Sequence, residues 1–313
     1  MKYRNIGRSD LLVSEVGVGC NNFVFRIDLA QTRTLVHKAL DLGVTLFDTA
    51  DVYGKRGGSE EFLGEILGPR RKDVVLATKF GQAMDDEGKL HGASRAYIMT
   101  AVEASLRRMR TDWIDLYQLH FPNAETPIEE TMRALDDLVL QGKVRYIGAS
   151  NFNGTQVREA NETASRHGLA RFVSFQSEYS LLTRGVENDA IPAIESCGAG
   201  LLPFYPLASG LLTGKYRRDE IPEGSRLATP RPHEQRFIAD ANWRSIEALE
   251  AFCRRRNHTL LELAFSWLLA QPVVPSVIAG VTQPEQLEKN VAAAAWTISA
   301  EDLAEIEQLT KSA

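Results

Sequence analysis

Eight short apolar runs, each followed by a longer amphipathic stretch, constrain this chain more than any other feature. The runs are "EVGVGC" (15–20), "VTLFDTA" (44–50), "DVVLATKF" (73–80), "WIDLYQLH" (113–120), "VRYIGAS" (144–150), "FVSFQSEY" (172–179), "GLLPFYPL" (200–207) and "VPSVIAG" (274–280). They are apolar almost throughout rather than on alternate residues. Strands covered on both faces read this way. The stretches between them carry helical periodicity. "DLAQTRTLVHKALDLG" places Leu35, Val36, Ala39 and Leu40 on one face and stops at Gly43. "SEEFLGEIL" opens with Ser59, read here as an N-cap, and has acids in its first turn.

Eight strand–helix alternations with short connections predict an α/β fold, a closed (β/α)8 TIM barrel. An open doubly wound sheet is the alternative. The chain of 313 residues suits one barrel domain spanning 1–313, with no linker. Two stretches lie outside the repeat. Residues 3–15 read as a short N-terminal hairpin turning at Gly7–Asp10. Residues 208–237, "ASGLLTGKYRRDEIPEGSRLATPRPHEQRF", form a long polar loop after the seventh strand; loops of that length are usually functional. "SAEDLAEIEQLTKS" closes the chain as a C-terminal helix.

Composition limits the function classes. Hydrophobic residues make up 44% and charged residues 25%, as in a globular protein with a large core. A net charge of −5 gives no electrostatic case for nucleic acid or an anionic membrane. Cys20, Cys197 and Cys253 are odd in number and widely spaced, which fits neither a disulfide framework nor a zinc site. The N-terminus has no apolar signal region, and no run of about 18 apolar residues occurs. The expectation is a cytoplasmic protein without a membrane anchor or metal, acting on a small molecule. Its oligomeric state is not legible.

In a barrel the C-terminal strand ends share one rim, where active sites form. Read in order, those ends carry Asn21 and Asn22, Asp48, Lys79, His120, Ser150 and Asn151, Gln176 and Phe204, with Tyr53 in the loop after the second strand. A free phenol is a poor acid at neutral pH. An ammonium beside it favours phenolate, and a carboxylate keeps that ammonium charged and in place. Asp48, Tyr53, Lys79 and His120 therefore form a set in which Tyr53 is a general acid towards a carbonyl oxygen that His120 also orients. A carbonyl that takes a proton must also take a hydride, and a nicotinamide is the natural donor. Ser150, Asn151 and Gln176 are candidates for its carboxamide, and Phe204 or Tyr205 for its ring face. "GVGCNN" lacks the G-x-G-x-x-G spacing, which argues against a Rossmann site. "GLLTGKY" (210–216) is not a Walker motif, yet its backbone and Lys215 suit a pyrophosphate.

These motifs resemble the aldo-keto reductase family over about residues 2–310: "LGVTLFDTADVYG" with "GGSEEFLG", "LATKFG", "DLYQLH", "GKVRYIGASNF", "FQSEYSLL", "PLASGLLTGKY" and "VIAGVTQPEQLEKN". The resemblance implies a (β/α)8 barrel and NAD(P)H-dependent interconversion of aldehydes or ketones with alcohols. Its tetrad falls on Asp48, Tyr53, Lys79 and His120, and its carboxamide contacts on Ser150, Asn151 and Gln176. Further cofactor contacts are expected at Leu207, Ser209, Gly210, Lys215, Gly280, Thr282, Gln286 and Asn290, with Asn22 and Phe23 in the substrate pocket. Two departures stand out. Phe204-Tyr205-Pro206-Leu207 replaces the usual Tyr-Ser-Pro-Leu. Val281-Thr282-Gln283 lacks the Arg that pairs with a 2′-phosphate in many members. NADPH is favoured, with NADH as the alternative. The competing functional class is a nicotinamide-binding regulatory subunit that senses redox state with little turnover. A barrel hydrolase is disfavoured, because Asp48 is the only firm rim acid and such enzymes use two.

Overall fold

The computed structural model describes residues 1–230 and 232–311. The chain opens with an antiparallel hairpin, β1 (Tyr3–Asn5) against β2 (Leu12–Ser14), with Tyr3 facing Ser14. Eight strands follow: β3 (Val16–Gly19), β4 (Leu46–Asp48), β5 (Val75–Phe80), β6 (Ile114–Leu119), β7 (Val144–Ser150), β8 (Phe172–Glu178), β9 (Gly200–Phe204) and β10 (Val277–Gly280). All pair in parallel, in the order β10-β3-β4-β5-β6-β7-β8-β9. Where the two ends of that sheet meet, the Leu201 N–H donates to the Val273 carbonyl at 2.7 Å. The result is a nearly closed (β/α)8 barrel, as the alternation predicted. Each strand lies within its predicted run.

The intervening helices are α1 (Leu29–Asp41), α2 (Tyr53–Leu67), α3 (Arg95–Met109), α4 (Ile128–Leu140), α5 (Gly154–His167), α6 (Ala190–Cys197), α7 (Asp240–Arg255), α8 (Leu260–Leu269) and α9 (Pro284–Ala293), with α10 (Ala300–Lys311) closing the chain. Capping boxes fix several starts: Asp28 with Gln31, Asn153 with Gln156 and Thr259 with Glu262. The segment 208–237 contains 3-10 turns at Ala208–Thr213 and Arg226–Ala228.

The start of α2 departs from the sequence reading. Gly54 to Gly57 have left-handed or other positive-φ backbone, so regular helix begins only after them. Ser59 is no cap. It is fully buried, accepts from the Thr49 hydroxyl at 2.8 Å and donates to the Cys20 carbonyl at 3.0 Å. It thereby bolts α2 to the first two barrel strands.

The core has two parts. The larger fills the space between strands and helices. The smaller lies inside the barrel, where Ile6, Leu11 and Val13 of the hairpin pack on Leu46, Ala77, Leu116, Leu202 and Ile278. The hairpin thus plugs the N-terminal end of the barrel and leaves the C-terminal rim for the site.

Candidate active site

Side chains alternate along a strand, so Lys79 on β5 and Gln118 on β6 point into the barrel towards Asp48 at the end of β4. Lys79 Nζ donates to Asp48 Oδ2 at 2.6 Å and to the Thr49 carbonyl at 2.8 Å. Asp48 Oδ1 accepts from Gln176 at 2.6 Å and from Gln118 at 3.3 Å. Lys79 is 1% exposed and Asp48 5% exposed, so the ion pair is essentially dry. The ammonium lies over the ring of Tyr53, 5.1 Å from its centroid. His120 meets Tyr53 edge to face, with centroids 5.8 Å apart. Four residues distant in sequence therefore converge at one mouth.

Electrostatics refine the simple reading of the phenol. Burial raises the Tyr53 pKa by more than the Lys79 charge lowers it, so the phenol sits above its ordinary value of 10.0. Burial also works against the Lys79 ammonium, but Asp48 and Tyr53 outweigh it and raise the Lys79 pKa. His120 is pushed down to about 2, first by burial and then by Lys79, so its imidazole is neutral. The site at rest therefore holds a protonated phenol, a charged ammonium and a neutral imidazole.

The rim opens into a cavity of about 680 Å³, within the range of ligand sites. Asp48, Tyr53, Lys79 and His120 line one part of it, together with Asn22. Ser150, Asn151, Gln176, Phe204, Tyr205, Leu207, Ser209, Gly210, Lys215, Gly280, Thr282, Gln286 and Asn290 all line it too. Phe23 does not: it is fully buried in the core, since it follows the short 3-10 turn Cys20–Asn22 inward. Several walls are built on left-handed backbone at non-glycine residues, namely Asn151, Tyr205 and Ser209. Such strain gathers at binding sites. Asn151 is held there by its amide, which donates to the His120 carbonyl at 2.9 Å. Gln286 turns back to accept from the Thr282 N–H at 2.8 Å, so it shapes the loop after β10.

Two further residues belong to the site and were not singled out from sequence. The Gln82 amide nitrogen lies 3.1 and 3.2 Å from the two ring nitrogens of His120 and donates to the one that carries no proton. Arg226 lines the cavity from the 208–237 segment. It pairs with buried Glu234 at 2.5 Å, yet one of its terminal nitrogens is buried without a partner. A buried donor of this kind suits a phosphate oxygen. With Lys215 on the same wall, the donor set fits a dinucleotide. Among the described residues no cluster of His, Cys, Asp and Glu could hold a metal ion, and no helix is long and apolar enough to cross a membrane.

A parallel barrel with a buried ion pair beside a phenol, opening on a cavity lined by Lys215 and Arg226, fits an oxidoreductase. The chain belongs to the aldo/keto reductase family, whose model matches residues 15–311. Its relatives include an L-glyceraldehyde 3-phosphate reductase of Escherichia coli (strain K12), 34% identical over 320 residues, covering 98% of this chain and 92% of the relative. A probable voltage-gated potassium channel subunit beta of Oryza sativa subsp. japonica is 36% identical over 303 residues, covering 94% and 91%. Probable aldo-keto reductase 1 of Glycine max is 34% identical over 311 residues, covering 96% and 86%. Members of the family use nicotinamide cofactors in carbonyl reduction.

Proposed function

We propose that this chain interconverts aldehydes or ketones with alcohols, with Tyr53 as the general acid. The observation that carries the reading is the sealed Asp48–Lys79 pair held over the Tyr53 ring, with neutral His120 at its edge. When bound, a reduced nicotinamide supplies the hydride. The substrate oxygen lies between Tyr53 and His120. His120, being neutral, polarises that oxygen by hydrogen bonding and does not compete as an acid. As charge grows on the oxygen, Tyr53 passes its proton to it. An alkoxide is a stronger base than a phenolate, so even the raised phenol donates. Lys79 then stabilises the phenolate left behind, and Asp48 fixes Lys79 for that task.

The carboxamide end of the cofactor is assigned to Ser150, Asn151 and Gln176, the ring face to Phe204, and the pyrophosphate to Tyr205, Leu207, Ser209, Gly210, Lys215 and Arg226. Gly280, Thr282, Gln286 and Asn290 take the adenosine end. NADPH is favoured, because the Thr282 hydroxyl and the N-terminal end of α9 offer donors at the adenosine end, where the 2′-phosphate lies, and NADH is the alternative. The whole chain is read as one barrel domain. Free Cys20, Cys197 and Cys253 suit a reducing, cytoplasmic setting.

The similarity to proteins named as probable channel beta subunits favours a second reading, a regulatory subunit that binds nicotinamide and seldom turns over. One experiment separates the two. The protein is incubated with a panel of aldehydes and either NADPH or NADH, and loss of reduced-nicotinamide absorbance is followed. Multiple turnovers with any aldehyde support the reductase. Tight cofactor binding with no turnover across the panel supports the regulatory reading.

A further inference from the structure

Behind the strand that carries Lys79 lies a second buried set of ionisable groups that the reaction does not touch. Thr78 and Tyr117 alternate with Lys79 and Gln118, so they face outward to α2 and α3. Thr78 donates to Glu60 Oε1 at 2.5 Å, and Arg108 of α3 donates to Glu60 Oε2 at 2.6 Å. Glu60 is fully buried and fully partnered. Asp51 shares this compartment and is 1% exposed, yet neither of its carboxyl oxygens has a hydrogen-bond partner. The hydroxyls of Tyr97 and Tyr117, the two phenols that feel Asp51 most among nearby charges, are buried and unpartnered as well.

A bare carboxylate in such a place costs far more than a protonated carboxyl. Burial and the neighbouring Glu60 charge raise the Asp51 pKa to about 8, against the pull of Arg108 and Lys79. Asp51 also touches the reacting groups through the backbone. Its N–H donates to the Lys79 carbonyl at 3.0 Å, and two residues on the Tyr53 N–H donates to the Ala50 carbonyl at 3.1 Å. Residues 50–53 are thus one turn that clips onto β5 at Asp51 and presents Tyr53 at its far end.

We propose that Asp51 is a positioning residue whose neutral side chain seats the 50–53 turn against β5, and that loss of its proton moves Tyr53 off Lys79 and slows carbonyl reduction. This rests on the reductase reading above. The groups around Asp51 are Glu60 from α2, Tyr97 and Arg108 from α3 and Tyr117 from β6, with the Lys79 charge acting from the barrel side of β5. Ionised, Asp51 meets the negative charge of Glu60 and finds Arg108 already committed to that residue. The turn is the element free to relieve the conflict.

The test is the pH profile of kcat for aldehyde reduction, from about pH 6 to about pH 10, in the wild type, Asp51→Asn and Asp51→Ala. Tyr53 titrates above its ordinary range, so it does not account for an alkaline fall near 8. The wild type is expected to lose activity with a midpoint of about 8. Asp51→Asn keeps the shape and has no proton to lose. It should abolish that fall and hold kcat within about threefold of wild type at neutral pH. Asp51→Ala empties the site, and should lower kcat by about 10- to 100-fold with KM little changed. Circular dichroism checks that both variants fold; if Asp51→Ala does not, the Asp51→Asn profile decides. The same alkaline fall in Asp51→Asn overturns the proposal, as does an Asp51→Ala enzyme equal to wild type. If the wild type turns over no aldehyde, the reductase reading fails separately. Crystal structures at about pH 6 and about pH 9.5 then judge the turn. A Tyr53 ring displaced from Lys79 at the higher pH in wild type, but not in Asp51→Asn, supports the proposal, and an unmoved ring overturns it.

Discussion

The Lys79 ammonium lies 2.6 Å from Oδ2 of Asp48, and both side chains are almost fully closed off from solvent. Each charge is tolerable because the other is present. Asp48→Asn strands the cation, which costs about 3–5 kcal/mol in buried pairs. The variant is expected to unfold at markedly lower urea concentration and to lose more than about tenfold in kcat. An Asp48→Asn protein with wild-type stability would show that the pair is not the anchor described here.

Tyr53→Phe removes the proton donor and leaves the ring packing intact. Turnover should fall by about 10²–10⁴-fold. Cofactor affinity, read from quenching of intrinsic fluorescence on titration with NADPH, should change little, because the hydroxyl faces the substrate. Wild-type turnover in this variant would remove Tyr53 from the mechanism.

Gln82 steadies the ring of His120 by donating its amide N–H to the unprotonated ring nitrogen. Gln82→Leu frees the imidazole to rotate away from the substrate oxygen. The expected result is a kcat/KM loss of about tenfold with the melting temperature nearly unchanged. A full set of Michaelis curves for wild type and variant checks it, and equal kcat/KM values would count against the contact.

His120 is buried neutral, with its pKa lowered from 6.5 to about 2. Below 6.5 the unfolded chain gains a proton that the folded chain resists, so stability is complete above that value and is lost as the pH falls towards 2. Thermal melts between about pH 7 and about pH 4 should show a shallower decline in His120→Gln than in wild type. Parallel declines would mean that other groups dominate acid unfolding.

Gly64 brings α2 against the backbone of α3. A methyl group there would strike the Arg108 carbonyl oxygen and the Met109 backbone. Gly64→Ala is expected to destabilise the protein by about 1–3 kcal/mol, measured by urea unfolding. Because Arg108 also holds Glu60, activity should decline in step; an unaffected midpoint would contradict the packing.

Much of this was legible in the residues themselves. Strands covered on both faces must be apolar, so all eight could be located, and the polar residues at their C-terminal ends named the rim. What escaped depended on partners far apart in the chain. Ser59 has the look of a cap, and the same hydroxyl instead joins Thr49 to Cys20. Asp51 lies within the most informative motif, but its meaning depends on Glu60, Tyr97 and Arg108, which only the packing of α2 on α3 brings near. Phe23 adjoins the rim in sequence and turns into the core. The balance at Tyr53 was also hidden, because the dryness that outweighs Lys79 is a property of the folded site.

The hairpin that stoppers the lower end of the barrel with Ile6, Leu11 and Val13 has a kinetic corollary. Traffic through the bowl is confined to the rim, so arrivals and departures share a doorway and form a queue.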